Sequence, residues 1–227
     1  MSAPVTVTGL TRRFRRGPET ITAVDNVSFE LSPGELTVAA GPSGSGKTTV
    51  LSILAGMERA DSGSISTDEP LPARVPMAKL PWRHLGFVPQ SMALLDELSV
   101  WDNVNLPARL DPSAGGRETD ALLDAFEIAH LAPRYPSQTS GGEQQRTAIA
   151  RAMRLNPFVL VADEPTGHQD RRRVDMVLGL LRQHAYAGHI VLISSHDGAV
   201  IDAADRVITL ADGRLVDDSR RNPLLYA

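Results

Sequence analysis

The chain has 227 residues, 42% of them hydrophobic, and a formal net charge of −4. That length suits one large domain or a domain with two lobes, and the acidic balance argues against a nucleic-acid surface as its main business. With no cysteine, disulfides, thiolate metal sites and thiol redox chemistry are excluded.

The first ten residues read as a strand rather than as a basic-then-apolar leader. Val5-Thr6-Val7 and Val27-Ser28-Phe29-Glu30-Leu31 alternate, which predicts half-buried antiparallel strands, and Arg12 to Pro18 between them reads as a basic turn. Ser32-Pro33-Gly34-Glu35 is a tight turn feeding the apolar run Leu36 to Ala40, a buried strand. Thr49 to Gly56 predicts a helix with Leu51, Leu54 and Ala55 on one face. Pro70, Pro72, Pro76 and Pro81 argue against a long helix over residues 68–83. His84 to Val88 is a short strand, and Ser91 to Arg154 carries a helical pattern interrupted by a loop at residues 111–116. Phe158 to Ala162 is continuously apolar, as a central parallel strand buried on both faces requires. Arg171 to Tyr186 is helical, Ile190 to Ser194 is another buried strand, and Arg206–Leu210 with Gly213–Asp217 closes as a hairpin. The apolar runs are far shorter than the roughly 20 residues a membrane helix needs. The expectation is a soluble protein that reaches a membrane only through a partner.

Gly41, Pro42, Ser43, Gly44, Ser45, Gly46, Lys47 and Thr48 spell the G-x-x-x-x-G-K-[ST] phosphate-binding loop, followed by Thr49. Strand, glycine loop and helix is the context that motif needs. Backbone N–H groups curl around phosphate oxygens and the helix N-terminus adds positive potential. Lys47 supplies a point charge to the β- and γ-phosphates, and Thr48 a hydroxyl to Mg²⁺. Asp163 and Glu164 follow the apolar strand Phe158–Ala162. Asp163 suits Mg²⁺ and Glu164 suits the general base that polarises the attacking water; the alternative is an acidic turn closed by Pro165. Ser140-Gly141-Gly142-Glu143 reads as an S-x-x-E capping box opening a helix. Its adjacent glycines also suit a backbone that approaches an anion closely, so it is a second candidate phosphate site. Two such sites far apart in sequence suggest a head-to-tail homodimer in which each nucleotide touches both subunits.

The phosphate loop, Gln90, Ser140-Gly141-Gly142-Glu143-Gln144-Gln145-Arg146, the Asp163-Glu164 strand and His196, in that order, resemble the ATP-binding cassette of ABC transporters. The resemblance covers residues 4–217. GPSGSGKTT, SGGEQQR and ADEPTG are similar to the lipoprotein-releasing, macrolide-efflux and haem-exporter group, the mechanotransmission proteins. It implies an α/β fold with a P-loop NTPase core and parallel sheet, an antiparallel N-terminal β layer and an inserted helical lobe. In a single nucleotide-binding domain over 1–227, the core would be 1–90 and 156–227 and the lobe about 91–155. It implies that Gln90 senses Mg²⁺ and the attacking water, that His196 contacts the γ-phosphate, and that Asp170 links the subunits. Phe14 takes the place of an aromatic that stacks on adenine, with a plain core Phe as the alternative. The implied activity is ATP hydrolysis with Mg²⁺, powering a separate transmembrane permease for export or extraction at the cytoplasmic face of the membrane. Force transmission without a translocated substrate is the alternative. A soluble ATPase acting on nucleic acid or ribosomes is disfavoured, because the stretch between Lys47 and Ser140 leaves no room for long coiled coils and the chain carries one cassette. Three departures stand out: Thr139 where the family has Leu, His168-Gln169 where the group has Asn-Leu, and the proline-rich stretch at 68–83.

Overall fold

The computed structural model describes residues 5–73, 75–112, 115–167 and 169–221. A long hairpin opens the chain: β1 (Val5–Arg16) pairs antiparallel with β2 (Glu19–Leu31). The basic stretch from Arg12 is therefore strand, not turn. Phe14 pairs with Ile21 and Arg16 with Glu19, and the turn shrinks to Gly17 and Pro18. Charged side chains suit this exposed end of a two-stranded ribbon, and Arg12 is tied down by Glu58 at 3.0 Å and Asp61 at 2.8 Å.

Next come β3 (Leu36–Ala40), α1 (Lys47–Leu54), β4 (Ser62–Thr67) and β5 (Leu85–Val88). Among the described residues of 68–83 the one helical piece is a 3-10 turn at Met77–Lys79, as the prolines dictate. That turn packs tightly on the end of α1, where a Cβ on Gly56 would sit 2.3 Å from Ala78 Cα.

Three helices follow: α2 (Val100–Leu110), α3 (Thr119–Ala125) and α4 (Gly141–Met153). The helical pattern expected from Ser91 does not start there. Residues 91–99 form a loop in which Met92 (φ 62°) and Ala93 (φ 49°) are left-handed, and Ser99 caps α2 by accepting from Asp102 N. Fully buried Asn103 replaces the missing helix bonds. Its Oδ1 accepts from Leu95 N at 2.9 Å, and its Nδ2 donates to the carbonyls of Leu95, Leu98 and Ser99.

The chain closes with β6 (Val159–Ala162), α5 (Arg171–Tyr186), β7 (Ile190–Ser195), α6 (Gly198–Asp202), β8 (Arg206–Ala211) and β9 (Arg214–Arg220). Among the described residues the strands form two sheets, a three-stranded antiparallel one ordered β2-β1-β4 and a six-stranded one ordered β5-β6-β7-β3-β8-β9. The first five strands of the larger sheet are parallel; β9 runs antiparallel to β8. Both faces of this sheet are covered, which is why its strands read as unbroken apolar runs. Leu160, Ala162, Val191 and Ile193 pack with the apolar sides of α2, α3, α4 and α5. Val159, Val161, Ile190 and Leu192 pack with α1 and the antiparallel sheet.

Candidate active site

β3 lies between β7 and β8, so the loop that leaves its carboxyl end emerges at the centre of the parallel sheet. Close packing forces the glycines there. A Cβ on Gly41 (φ 142°) would lie 2.1 Å from Leu210 O, and one on Gly46 (φ 100°) 2.3 Å from Ala23 O. Gly46 caps α1 with no side-chain hydrogen bond, which leaves the first-turn N–H groups of the helix free for an anion. Lys47 is 6% exposed and curls over the loop, donating to Gly41 O at 2.8 Å and Pro42 O at 2.9 Å. Ser45 Oγ is buried with no hydrogen-bond partner. An orphaned hydroxyl and a folded-in ammonium in one glycine loop fit a phosphate group. Pro42, Ser43, Gly44 and Thr48 form the exposed rim, and Thr49 is half-buried.

The carboxylates stand at the end of β6, two strands away from β3. Asp163 is 2% exposed, its N–H held by Val88 O at 2.8 Å, and its Oδ1 accepts from Ser194 Oγ at 2.5 Å. The same hydroxyl accepts from Glu164 N at 2.8 Å. Glu164 has a left-handed backbone (φ 49°). Such a conformation costs a non-glycine residue roughly 1–3 kcal/mol and persists only where surrounding contacts enforce it. Those contacts are Ser194 on its N–H, and Gln145 Nε2 donating to its carbonyl at 3.0 Å. The twist aims the side chain back over the sheet end, where Oε1 meets His196 Nδ1 at 3.0 Å. His196 follows β7 and is largely exposed. Gln90 is exposed two residues beyond Val88, which pairs with Ala162. Asp163, Glu164, Gln90 and His196 thus gather at the carboxyl ends of neighbouring strands.

Phe14 is half-buried on β1 and the Arg12 guanidinium lies 4.6 Å from its ring centroid. Its partner Ile21 stands two residues before Ala23, whose carbonyl presses on Gly46. The hairpin is therefore anchored beside the phosphate loop.

Ser140 makes both halves of the capping box: Glu143 N donates to Ser140 Oγ at 3.4 Å and Ser140 N to Glu143 Oε2 at 2.7 Å. The Ser140 N–H holds the Glu143 carboxyl below its ordinary pKa. A Cβ on Gly141 would meet nothing within 4 Å, so packing inside this chain does not require that glycine. Ser140, Gly141 and Gly142 open on a groove of about 450 Å³ shared with Arg146, Asp170 and Arg173 and containing no residue of the phosphate loop. Asp170 caps α5, accepting from Arg173 N at 3.1 Å, and that bond lowers its pKa. His168 lies outside the described residues.

Sequence reasoning missed the residues that brace this machinery. Gln144 holds the carbonyls of Pro136 and Thr139, and Arg146 holds Phe126 O at 2.9 Å. Ser194 is fully buried in β7 directly after four apolar residues, and a hydroxyl closing such a run was the available signal.

A glycine loop on the central strand, facing a buried aspartate and a braced glutamate, defines a nucleoside triphosphate hydrolase of the P-loop class. The ABC transporter family matches residues 24–167. The chain is 40% identical over 215 residues to the lipoprotein-releasing system ATP-binding protein LolD of Gluconobacter oxydans, covering 92% of this chain and 93% of that protein. It is 38% identical to the macrolide export ATP-binding/permease protein MacB of Burkholderia thailandensis, covering 96% of this chain but only 34% of that longer protein. Among solved structures, the dimeric post-hydrolysis state of the ATP-binding cassette MJ0796, bound to ADP and Pi, superposes with a TM-score of 0.86 at 30% identity. That superposition covers 96% of this chain and 99% of the other. The chain belongs to the ABC transporter family and is an ATP-binding, ATP-hydrolysing cassette.

Proposed function

We propose that this cassette works as a head-to-tail pair, each ATP held between the phosphate loop of one copy and Ser140-Gly141-Gly142 of the other, and that the pair powers a separate membrane permease for export or release. The observation that carries the reading is the division of the two anion-binding elements: Lys47 and its loop lie apart from the groove at Ser140. Gly141 faces open space there, a glycine with room that its own chain leaves unused.

Thr48 and Asp163 are the groups that would hold Mg²⁺, with Gln90 beside them. Among the described residues no three acidic or histidine groups form a metal cluster, which suits an ion whose shell is completed by phosphate oxygens and water. Bound there, the ion would neutralise charge on the phosphates. Lys47 exchanges its loop carbonyls for β- and γ-phosphate oxygens. Glu164 accepts the proton of the attacking water, and the His196 ring, already on Glu164, steadies the carboxylate and faces the γ-phosphate. Phe14 offers a ring face to adenine, and Asp170 faces the partner copy.

The permease site is an apolar groove of about 530 Å³ between β5, α1 and the helices α2 and α4. Met57 (69% exposed), Trp82 (50%) and Leu95 (44%) leave apolar surface on its walls. Such a groove suits an amphipathic helix laid in by its apolar face. Among the described residues no helix is long and apolar enough to cross a membrane, so the permease supplies the spans and brings the cassette to the cytoplasmic face.

The test mixes two inactive proteins. Gly142→Asp places a carboxylate where the partner's γ-phosphate would lie, and Lys47→Ala removes the loop ammonium. In a mixed dimer both lesions fall on one composite site and the other is intact. Partial recovery of ATPase on mixing is expected, provided one intact site turns over alone; normal ATPase and ATP-dependent dimerisation by Gly142→Asp alone would overturn the shared site, since a plain capping box tolerates acid in its first turn.

A further inference from the structure

Two apolar residues stand among the charged ones at the end of the first hairpin. Phe14 is half-buried on β1 and its cross-strand partner Ile21 is 44% exposed, so the pair is not part of a core. The Arg12 guanidinium lies 4.6 Å from the Phe14 ring centroid. Carboxylates fix its two terminal nitrogens, Glu58 Oε1 on Nη2 at 3.0 Å and Asp61 Oδ1 on Nη1 at 2.8 Å. The third nitrogen, Nε, is buried with no hydrogen-bond partner. A buried N–H without an oxygen acceptor needs a reason, and an aromatic face is a weak acceptor for it. Glu58 lies just past the end of α1, the helix that Lys47 opens, and Asp61 just before β4. Across the hairpin the pairing slips at this point: Arg12 faces Val24 and Arg13 faces Thr22. The residue skipped is Ala23, whose carbonyl presses on Gly46. Arg12 therefore joins the ring to the far end of the phosphate-loop helix, beside the bulge that seats the hairpin on the loop.

We propose that Arg12 is a positioning residue for the nucleotide base: pinned by Glu58 and Asp61, its guanidinium backs one face of the Phe14 ring and holds the other face toward the adenine of bound ATP. The inference rests on the reading above in which Phe14 stacks on adenine. A half-buried ring at the end of a two-stranded ribbon is free to change rotamer, and fixing it beforehand lowers the ordering cost of binding. The charge acts as well. A cation against one face draws the π electrons toward itself, so an electron-rich purine meets less repulsion at the opposite face. Because the carboxylates that hold Arg12 flank the segment leaving α1, the ring is also set at a fixed distance from the phosphate loop.

The test measures the Kd of the full chain for ATP and for inorganic triphosphate, a probe that carries the phosphates without the base. Wild type is compared with Arg12→Gln, Arg12→Lys, Phe14→Ala and the double variant Arg12→Gln/Phe14→Ala. Phe14→Ala is expected to weaken ATP by about thirtyfold, the scale of one base–aromatic stack. Arg12→Gln, which keeps polar contacts to the carboxylates but no charge, should weaken ATP by about tenfold. Arg12→Lys, whose ammonium faces the ring without a fork for both carboxylates, should lose about threefold. Every variant should bind triphosphate within about twofold of wild type, and Arg12→Gln should add nothing to Phe14→Ala. Wild-type ATP affinity in Arg12→Gln overturns the proposal. Equal loss for ATP and triphosphate also overturns it, because the arginine then only seats the hairpin on the phosphate loop, and so does a double variant in which the two losses add. Should Arg12→Gln fail to fold, Arg12→Lys decides, and wild-type ATP affinity in that protein overturns the proposal. Phe14→Ala separates the two readings: if it binds ATP as wild type does, the stacking reading falls and Arg12 with it. If it loses ATP while Arg12→Gln does not, the Arg12 proposal alone is wrong.

Discussion

Glu164→Gln keeps the length of the side chain and the contacts of its backbone but removes its proton affinity. Hydrolysis should fall by roughly 10²–10⁴, the usual contribution of a positioned base. ATP binding should survive, so the variant should collect as an ATP-bound dimer in size-exclusion chromatography with Mg²⁺. Asp163→Asn should fail earlier, with ATP binding losing its dependence on Mg²⁺ in equilibrium titration. The two neighbours differ because the structure treats them differently. Asp163 is buried and fixed by Ser194, whereas the Glu164 carboxylate reaches His196 near the open end of the sheet. Monomeric Glu164→Gln that turns over ATP at the normal rate would move the base elsewhere.

At the scale of elements, two buried polar side chains make quantitative claims. Asn103 closes the loop ahead of α2 with four hydrogen bonds to backbone. Asn103→Ala strands those groups, and should lower unfolding free energy by about 2–3 kcal/mol in urea titration while raising hydrogen exchange at Leu95. At the end of α5, His184 stacks on His189 with ring centroids 4.2 Å apart and bonds Pro157 O at 3.0 Å. Burial, then the neighbouring His189 and Arg117, push its pKa from 6.5 down to about 3. The unfolded chain therefore binds a proton that the folded one refuses between those values. The stability from this group is complete above about pH 6.5 and drains as pH falls, by about 2 kcal/mol at pH 5. Chemical unfolding at pH 7 and pH 5 should show that loss in wild type and a shallower slope in His184→Gln. Neither side chain stood out in the sequence, because a buried polar residue declares itself only through partners distant in the chain or concealed in a loop. What was legible followed local rules. The central strands Phe158–Ala162 and Ile190–Ser194 showed as apolar runs, the phosphate loop as its glycines, and α4 as its capping box. The stretch at 91–99 carries a helical pattern yet is a loop, because Asn103 and short turn bonds such as Leu98 N to Leu95 O take the place of a helical ladder. The basic stretch at Arg12 reads as a turn on its charge, yet charge at the exposed end of a ribbon does not prevent strand pairing, and Arg12 to Arg16 pair with Val24 to Glu19.

At the scale of the molecule, the groove between the two layers divides catalysis from its proposed output. Trp82→Glu and Leu95→Asp place charge on its rim, on side chains that line the groove and not the phosphate loop. Both should leave the ATPase of the isolated cassette within about twofold of wild type, since surface substitutions away from a site change little. Co-purification with the permease should be lost, as burying an unpaired carboxylate in an apolar seat is costly. Retention of the permease by both variants would place its docking site on another face.

The position of β3 also governs how the molecule is made. This strand is translated well before both of its neighbours, β7 and β8, with Leu36 facing Val191 and Thr37 facing Arg206. Arg206 then fastens the join by reaching back to Glu30 O and Glu35. Until the ribosome has released that stretch, the strand that carries the phosphate loop has two bare edges and no sheet to enter. Non-local pairing of this kind is slow, and unpaired edges invite association. A chain stalled before Ile190 would therefore be a substrate for chaperones rather than a smaller nucleotide-binding protein, and the cassette becomes competent to hold ATP only once β7 and β8 have been made.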